Sequence, residues 1–343
     1  MTIIATASKL AVKEKVSGVI LIDKPIGMTS QQVVSKVKYL FKSPIHDSKK
    51  AGHTGTLDPM ATGLLPICLG EATKFSHYQL DADKSYRATI LLGSQTDTGD
   101  ADGQVVAQAD VPILTEGLLQ QNAQQFMGAQ QQMPPMYSAL KKDGKKLYEY
   151  ARAGIEIERP LRDIEIKELS LELLTEQEIQ LTVTCTKGTY VRVLGEDIAK
   201  SLGTLGHLTA LRRVQVGKFC LSDSITIEQL EQQETSARLT QLLPIDACIN
   251  ISATLMLNGA QCERIHMGQR LNVFEQLTPE LNAYISANIP REAASSIDTV
   301  TSITPIEYEL PVDIRLVDEA GQFLGLGAIS LNGRLQPKKL IQR

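Results

Sequence analysis

The order of strand-like and helix-like segments limits the fold of this 343-residue chain more than any other feature. Gly18 to Asp23 is a short, β-branched apolar run that is typical of a buried strand. Glu178 to Cys185 alternates apolar and polar side chains, which predicts another strand, and residues 191–202 carry apolar side chains at helical spacing. Strands and helices follow one another without a regular strand–helix–strand repeat. The pattern therefore favours an α+β fold over a doubly wound parallel sheet.

Two domains are predicted, because the length suits one large domain plus a small one. Short strand-like runs with turn signals such as Asn332-Gly333 fill the region from Pro311 to Ile341. We expect a large domain at residues 1–249 and a small all-β domain at residues 250–343. Residues 283–304 are rich in Ala, Ser and Thr, which predicts an insertion or flexible loop in the second domain.

Local signals predict several element boundaries. Ser30 is the expected N-cap of a helix whose apolar residues run to position 41. The stretch 111–127 is expected to contain a helix capped by Thr115. Residues 145–153 have a helical pattern that stops at Gly154. The polar, glycine- or proline-containing stretches at 43–57 and 93–103 predict loops.

Composition narrows the range of functions. Aromatic residues are scarce and Trp is absent, which argues against a protein that binds nucleic acid mainly by stacking bases. A formal net charge of −4 argues mildly against a nucleic-acid partner. Lysines nevertheless cluster at 36–50 and at 141–146, and each cluster is either a solvated face or a set of phosphate contacts.

The five cysteines are odd in number and widely spaced, so they indicate neither a zinc site nor a disulfide framework. Free thiols fit a reducing cytoplasm. The chain shows no signal-peptide core and no apolar run of membrane-spanning length. We therefore expect a cytoplasmic protein without a membrane partner.

The segment Gly52 to Gly63 (GHTGTLDPMATG) holds the densest set of chemically active side chains. Asp58 precedes Pro59, which restricts its backbone and can present the acid to a ligand. The alternative is an aspartate that bonds its own backbone in an Asx-turn. The segment lacks the endings of nucleotide-binding glycine loops. His53 and His77 have no second ligand at metal-binding spacing, so no metal site is expected.

Seven segments together resemble the motifs of one family. In chain order they are 24–30 (KPIGMTS), 52–63 (GHTGTLDPMATG), 84–87 (KSYR), 93–103 (GSQTDTGDADG), 134–141 (PPMYSALK), 187–192 (KGTYVR) and 211–213 (LRR). They resemble, in the same order, the motifs of the TruB family of tRNA pseudouridine synthases. Residues 326–341 resemble the end of a PUA domain, a small RNA-binding β-barrel.

The resemblance implies the pseudouridine synthase fold, with a mixed, mainly antiparallel central sheet flanked by helices, followed by a PUA-like barrel. It implies that the protein flips a uridine out of the T-loop of tRNA (position 55) and isomerises it to pseudouridine. The reaction cuts the N1–C1′ bond and rejoins the base through C5, so no cofactor is implied. The expected partner is the tRNA T-arm, without a guide RNA, and a monomer is expected.

By resemblance Asp58 is the nucleophile, and an ionised Asp needs no activating base. Arg192 is implied to hold that carboxylate charged through a forked hydrogen-bond pair. Read by itself, Arg192 could be a surface arginine at a helix start. Lys74 is implied to be a second positive group near the site. Three reaction paths stay open: addition of Asp58 to uracil C6, attack at C1′, or abstraction of a ribose proton.

The other implied site residues surround the target base. Tyr86 is expected to stack on the uracil and to assist removal of the C5 proton, although by itself it could be a core tyrosine. Tyr190 and Leu211 would shape the pocket, and Asp100 would support the tyrosine region. His53 would contact the bases around the space that the flipped uridine leaves.

Residues 130–155 resemble the family's mobile thumb, which closes over the RNA loop. Besides a metal hydrolase, for which the sequence has no ligand set, two alternatives to a stand-alone enzyme remain. One is a tRNA-binding protein that folds RNA without catalysis, and the joint presence of Asp58, Tyr86 and Arg192 argues against it. The other is a catalytic subunit guided by a separate RNA, which the 134–141 segment and the thumb-like stretch disfavour.

Overall fold

The computed structural model describes residues 13–290 and 309–342. Its internal contacts divide the chain into two units between Ile245 and Asp246, whereas the sequence placed the boundary after residue 249.

The strands of the first unit are β1 (Glu14–Lys15), β2 (Gly18–Lys24), β3 (His46–Asp47), β4 (Ala51–His53), β5 (Thr62–Leu69), β6 (Lys84–Leu92), β7 (Ser94–Thr96), β8 (Val105–Gln108), β9 (Gly128–Gln132), β10 (Lys141–Lys142), β11 (Lys145–Lys146), β12 (Arg162–Thr175), β13 (Glu178–Cys185), β14 (Gly206–Val216), β15 (Phe219–Cys220) and β16 (Ile225–Thr226). Its helices are α1 (Ser30–Leu40), α2 (His77–Leu80), α3 (Glu116–Gln125), α4 (Leu147–Arg152), α5 (Val191–Ser201), α6 (Ile227–Gln232) and α7 (Thr235–Thr240), with 3₁₀ turns at Gly70–Phe75 and Leu221–Asp223.

One large sheet organises the first unit. Its strand order is β16-β2-β5-β14-β6-β13-β12-β9, with β4 paired to β5 and β15 paired to β14. The β16–β2 and β5–β14 pairs are parallel, and the other pairs in this sheet are antiparallel. The predicted mixed, mainly antiparallel sheet flanked by helices is confirmed.

Alternation along β13 explains how the sheet buries one face. The side chains of Ile179, Leu181, Val183 and Cys185 are almost completely buried, while the residues between them are partly exposed. This face packs in a common core with apolar residues of α5, which begins at Val191, within the KGTYVR segment. The sheet and α5 thereby place the end of that segment against the core.

Helix α1 begins one residue earlier in register than the sequence predicted. Thr29, not Ser30, is the N-cap, because its hydroxyl accepts from the backbone N–H of Gln32 and the Gln32 side chain accepts from Thr29 N–H. The Ser30 hydroxyl instead forms hydrogen bonds with the backbone of Leu57, which is distant in the sequence. It accepts from Leu57 N–H at 2.8 Å and donates to Leu57 carbonyl oxygen at 3.0 Å. The start of α1 therefore anchors the 52–63 segment.

Other boundary predictions need smaller corrections. The predicted loop at 43–57 contains β3 and β4, and the predicted loop at 93–103 contains β7, which pairs with β8. The predicted helix capped by Thr115 is confirmed, because α3 starts at Glu116, directly after that cap. The helix expected from residue 145 starts at Leu147, because β11 forms a hairpin with β10.

The second unit contains β17 (Thr254–Met256), β18 (Leu271–Asn272), β19 (Val312–Val317), β20 (Phe323–Ile329), β21 (Arg334–Leu340), α8 (Gly259–His266), α9 (Pro279–Asn288) and a 3₁₀ turn at Phe274–Gln276. The strands form one sheet in the order β17-β19-β20-β21-β18. The small β domain is confirmed, but the all-β description missed α8 and α9. Thr278 caps α9 and Pro279 occupies its first turn, so residues 283–288 of the predicted insertion are helical. Residues 291–304 of that insertion lie outside the described residues.

In the part of the chain that the structure describes, the helices lack the length and apolar character needed to cross a membrane.

Gly63 allows the parallel strands β5 and β14 to approach closely. It pairs with Arg213 and has φ +102°, a conformation that side chains rarely adopt. A Cβ at this position would overlap the carbonyl oxygen of Arg213 and lie 2.8 Å from its backbone nitrogen. This approach brings β14 beneath the loop that precedes β5.

Gly63→Ala should lower the free energy of unfolding by about 3 kcal/mol, because backbone strain and a backbone overlap combine. Gly203→Ala is the matched control, since Gly203 has φ +84° but open space around its Cβ direction. That control should cost only about 1 kcal/mol. Urea unfolding followed by circular dichroism compares the two variants, and equal losses would show that the close approach does not matter.

Candidate active site

Asp58 lies on the loop between β4 and β5. Hydrogen bonds to its backbone hold this loop in place. Two join the Ser30 hydroxyl and Leu57, and in a third Gly27 N–H donates to the Pro59 carbonyl at 2.8 Å. Ala61 N–H donates to the carbonyl of Asp58 itself at 3.1 Å. The backbone on both sides of Asp58 is therefore fixed by the rest of the unit, which orients the carboxylate at little further entropic cost.

Lys24 fixes the same loop from the KPIGMTS turn. Its side chain is fully buried, and its ammonium group donates to the carbonyls of Pro25, Met28 and Pro59 at 2.8, 2.6 and 3.3 Å. Burial lowers the pKa of Lys24 to about 8, while the nearby Asp58 carboxylate opposes that change. No role was predicted for Lys24 itself, although it opens one of the seven segments.

Arg192 contacts two carboxylates at once. Its Nη2 lies 3.0 Å from Asp58 Oδ2, and its Nη1 lies 3.4 Å from Asp100 Oδ2. The same two nitrogens donate to the carbonyls of Tyr137 and Thr98, each at 2.7 Å. The expected partnership with Asp58 is present, but the expected fork on one carboxylate is wrong, because the guanidinium is shared. Arg192 is also 5% exposed, so it is not a surface arginine.

Opposing effects act on the Asp58 carboxyl group. Burial raises its pKa above the ordinary range, although 38% of the side chain is still exposed. The charge and hydrogen bond of Arg192 lower that pKa, Asp100 raises it, and Lys24 lowers it. Arg192 is thus the main group that favours the ionised carboxylate.

A cavity of about 400 Å³ opens beside Asp58. Its lining includes the predicted residues Asp58, Tyr86, Tyr190, Arg192 and Leu211. The volume lies within the range of small-ligand sites. Other residues at its wall are Gly55, Thr56, Leu57, Leu80, Lys84, Ser138, Ala139, Leu140, Arg162, Lys187, Gly188, Thr189, Val191 and Arg213. Side chains that are distant in sequence therefore meet around one space.

Tyr86 and Arg213 face each other in this wall. They are paired residues of the antiparallel strands β6 and β14, so their side chains lie side by side and each influences the charge of the other. Burial raises the pKa of the Tyr86 hydroxyl, and the charge of Arg213 opposes that rise. Tyr190 lies at the N-cap of α5, where burial also raises its pKa.

Three predicted site residues lie outside the cavity lining. Asp100 is buried behind Arg192, and its Oδ1 accepts from the Thr98 hydroxyl at 2.6 Å, so it supports the arginine rather than the tyrosine region. His53 ends β4, and its Nδ1 accepts from Gly55 N–H at 3.3 Å. Lys74 forms an ion pair with Glu71 at 2.6 Å in a 3₁₀ turn.

Lys24, Lys84 and Arg213 are the charged groups that sequence reasoning left without a role. Burial lowers the pKa of Lys84 to about 8, and its ammonium group donates to two backbone carbonyls. A signal was available, because each residue belongs to one of the seven segments. Among the described residues no three His, Cys, Asp or Glu side chains cluster closely enough to hold a metal ion.

Comparison with known proteins decides the family. Three family models match: the TruB family pseudouridylate synthase N-terminal domain at residues 43–191, the tRNA pseudouridylate synthase B C-terminal domain at 192–250, and the pseudouridine synthase II TruB C-terminal region at 307–341. A tRNA pseudouridine synthase B of Psychrobacter cryohalolentis is 68% identical over 341 residues, covering 96% of this chain and 95% of the relative. The chain belongs to the TruB family.

A less similar relative agrees with this assignment. The tRNA pseudouridine synthase B of Methylobacillus flagellatus is 41% identical over 332 residues, covering 97% of each chain. A solved Cbf5-Nop10-Gar1 complex contains a chain that matches with a TM-score of 0.59 at 22% identity, covering 95% of this chain and 84% of the other. That likeness shows the fold and confirms the expected pseudouridine synthase architecture. These TruB family relatives are named as synthases, which does not favour an RNA-folding protein without catalysis.

Substituting Arg192 and substituting Asp100 should move the pKa of the Asp58 carboxyl group in opposite directions. Arg192→Gln removes a positive charge and should raise the titration midpoint of Asp58 by about 1 pH unit. Asp100→Asn removes a negative charge and should lower that midpoint. Lys200→Gln on the same helix, with a half-exposed side chain, is the control and should leave it unchanged. Carboxyl carbon shifts in ¹³C-Asp-labelled protein measure the midpoint, and shifts of the same sign in both variants would contradict the assignment.

Proposed function

We propose that the chain isomerises uridine to pseudouridine in the T-loop of tRNA, at the position that the family resemblance implies. The observation that carries this proposal is the cavity in which the Asp58 carboxylate, the Arg192 guanidinium and the Tyr86 ring meet. Membership of the TruB family and relatives named tRNA pseudouridine synthase B support the reaction and the class of substrate.

Asp58 is the proposed nucleophile. Its loop is held on both sides, and Arg192 favours the charged carboxylate, which are the two properties that a nucleophile needs here. Addition to uracil C6, attack at C1′ and abstraction of a ribose proton all use this carboxylate. Cleavage and re-formation of the glycosidic bond needs neither redox chemistry nor an energy source, so the proposal includes no cofactor.

Tyr86, Tyr190 and Leu211 are proposed to hold the flipped uracil. Their side chains line the cavity next to Asp58, and an aromatic ring can stack on a base. Base flipping costs a few kcal/mol of stacking energy, which contacts inside the cavity offset. His53 lies beyond the lining, where it would contact bases that remain in the RNA loop. Lys74, paired with Glu71, would add positive charge at the periphery.

RNA contacts are proposed for two further parts. The β10–β11 hairpin carries four lysines around an Asp143-Gly144 turn, in which both residues have positive φ. It belongs to the thumb-like segment at 130–155, which would close over the T-arm. The second unit would hold the tRNA in the manner of a PUA domain. We propose that the protein acts without a guide RNA, as a monomer, in the cytoplasm, where its five free cysteines stay reduced.

The direct test is incubation of the purified protein, without added RNA guides, with an unmodified tRNA transcript. Pseudouridine is mapped by carbodiimide-dependent primer-extension stops. A single new stop in the T-loop supports the proposal, whereas an unchanged transcript contradicts it.

Asp58→Asn should abolish turnover and leave tRNA binding within about twofold of wild type, because an amide keeps the shape of the side chain without the nucleophilic charge. Asp97→Asn is a control, since the Asp97 carboxylate accepts a hydrogen bond from Gln104 N–H and is absent from the cavity lining. Single-turnover modification and filter binding measure the two properties. Near-wild-type modification by the Asp58 variant would exclude it as the nucleophile.

Binding of tRNA should weaken steeply with salt although the protein is net acidic. Each phosphate contact contributes a slope of roughly −0.7 to −0.9 in log K against log salt. Exchanging the four hairpin lysines (Lys141, Lys142, Lys145, Lys146) for Gln should reduce that slope and weaken binding more than it slows the chemical step. A control with Lys167 and Lys200 exchanged, both half-exposed on other elements, should keep the wild-type slope. Equal slopes in all three proteins would show that the hairpin lysines are only a solvated face.

A further inference from the structure

Arg213 is a buried cation whose charge the proposed reaction has not yet used. Its side chain is 1% exposed, and it donates to the carbonyls of Leu64, Gly55 and Thr56 at 2.8, 3.1 and 3.4 Å. Among the described residues no carboxylate forms an ion pair with it, and the Tyr86 phenol is the ionisable group that stabilises its charge. Burying a cation without an anionic partner is costly, so a role for the positive charge is worth seeking.

The position of Arg213 relates two parts of the site. Its three hydrogen bonds end on the backbone around the Asp58 loop, and its side chain lies beside that of Tyr86, its partner residue on β6. Both Tyr86 and Arg213 line the cavity that holds Asp58. A neutral donor could hold carbonyl oxygens equally well, so the loop contacts alone do not require a charge. An oxygen that becomes negative during the reaction would require it.

We propose that Arg213 is a positioning residue for proton removal: it holds the Tyr86 hydroxyl at the cavity and stabilises the phenolate that accepts the uracil C5 proton. This inference rests on the proposed isomerase function. It explains why Arg213 is buried as a cation. It also gives one residue contacts with both the Asp58 loop and Tyr86, which removes the final proton.

The proton transfer balances without another reactant. After the base has rejoined the ribose through C5, the C5–H bond breaks and its proton forms an O–H bond with the Tyr86 phenolate. The electron pair of that bond forms the C5=C6 double bond. The displaced electrons end on N1, which takes a proton from water, or on the Asp58 carboxylate if that group had added to C6. Tyr86 later releases its proton to solvent, and Arg213 remains charged throughout.

Other titratable groups face this pair and must be distinguished from it. Asp58 and Cys185 lie near Tyr86, and burial raises the pKa of the Cys185 thiol to about 11. Lys24, His53 and Lys84 lie near Arg213, and its charge contributes to lowering the pKa of each. A required phenolate makes the rate rise with pH, whereas a required lysine ammonium makes it fall, so the sign of the limb separates Tyr86 from Lys24 and Lys84.

The test compares Arg213→Lys and Arg213→Met with Arg212→Lys. Arg212 is the matched control, because it is the adjacent residue of β14, is half-exposed, and bonds Asp23 and Thr62 away from the cavity. A T-arm hairpin labelled with [5-³H]uridine reports turnover by tritium release, under single-turnover conditions between about pH 6 and 9. The same hairpin with [5-²H]uridine reports whether breaking the C5–H bond limits the rate.

Arg213→Met should slow the chemical step by about 10²-fold. Its rising pH limb should move to higher pH, because losing a neighbouring cation raises the pKa of Tyr86. The deuterium isotope effect should increase relative to wild type, since C5–H cleavage becomes limiting. Arg213→Lys, which keeps a charge but not the fork, should show smaller changes in the same directions, and it serves as the test protein if the Met variant does not fold by circular dichroism. Arg212→Lys should match wild type.

Two results would overturn the inference. A slower Arg213→Lys variant with the wild-type pH profile and isotope effect would show that Arg213 only supports the loop. Wild-type rates in both Arg213 variants would show that its charge is not used. If wild-type protein releases no tritium at all from the hairpin or from full-length tRNA, the proposed isomerase function fails first, and this inference fails with it.

Discussion

The site depends on buried cations that satisfy backbone carbonyl oxygens. The loop bearing Asp58 departs from the sheet ladder, so its carbonyls need donors from elsewhere. Arg213 supplies them for Gly55 and Thr56, and Lys24 supplies one for Pro59. Burying a cation costs less free energy when its N–H groups form hydrogen bonds. Burying a loop likewise costs less when its carbonyl oxygens accept hydrogen bonds. The cations and the loop therefore stabilise each other. Loss of Arg213 would remove the side-chain donor from the carbonyls of Gly55 and Thr56, whereas the Pro59 carbonyl would keep its bond from Gly27 N–H without Lys24.

Sharing Arg192 between two carboxylates tunes the charge at Asp58. A fork on Asp58 alone would engage both of its oxygens and lower its pKa further. Here the contact is made through Oδ2, while Nη1 turns to Asp100. The carboxylate is kept oriented without being fully neutralised by one partner. The same guanidinium also donates to the carbonyl of Tyr137, which lies in the thumb-like segment. Movement of that segment would therefore disturb the contact between Arg192 and Asp58.

Local patterns in the sequence predicted much of the fold and part of the site. The alternation of β13 and the spacing of α5 are local, so both elements were found. The convergence of Asp58, Tyr86 and Arg192 was inferred from segments that resemble a family, and the cavity brings those three together.

The features that the sequence did not reveal depend on long-range pairing. Arg213 reaches the Asp58 loop because β14 pairs in parallel with β5, two strands that lie far apart along the chain. No local pattern distinguishes it from the half-exposed Arg212. Helix α9 was missed for a different reason. Its Thr278-Pro279 start is a valid helix signal, but the Ala- and Ser-rich residues after it were interpreted by composition instead.

Charge distribution explains how a net acidic chain can present a positive pocket. Lys24, Lys84 and Arg213 are buried at the site, where low dielectric makes each charge act more strongly than an exposed one. Acidic groups elsewhere on the surface are screened, because the Debye length is about 8 Å at physiological ionic strength. Burial has lowered the pKa of Lys24 and Lys84 to about 8, so part of their charge is lost near that pH. An RNA phosphate nearby would raise both pKa values again, so anion binding and lysine protonation favour each other.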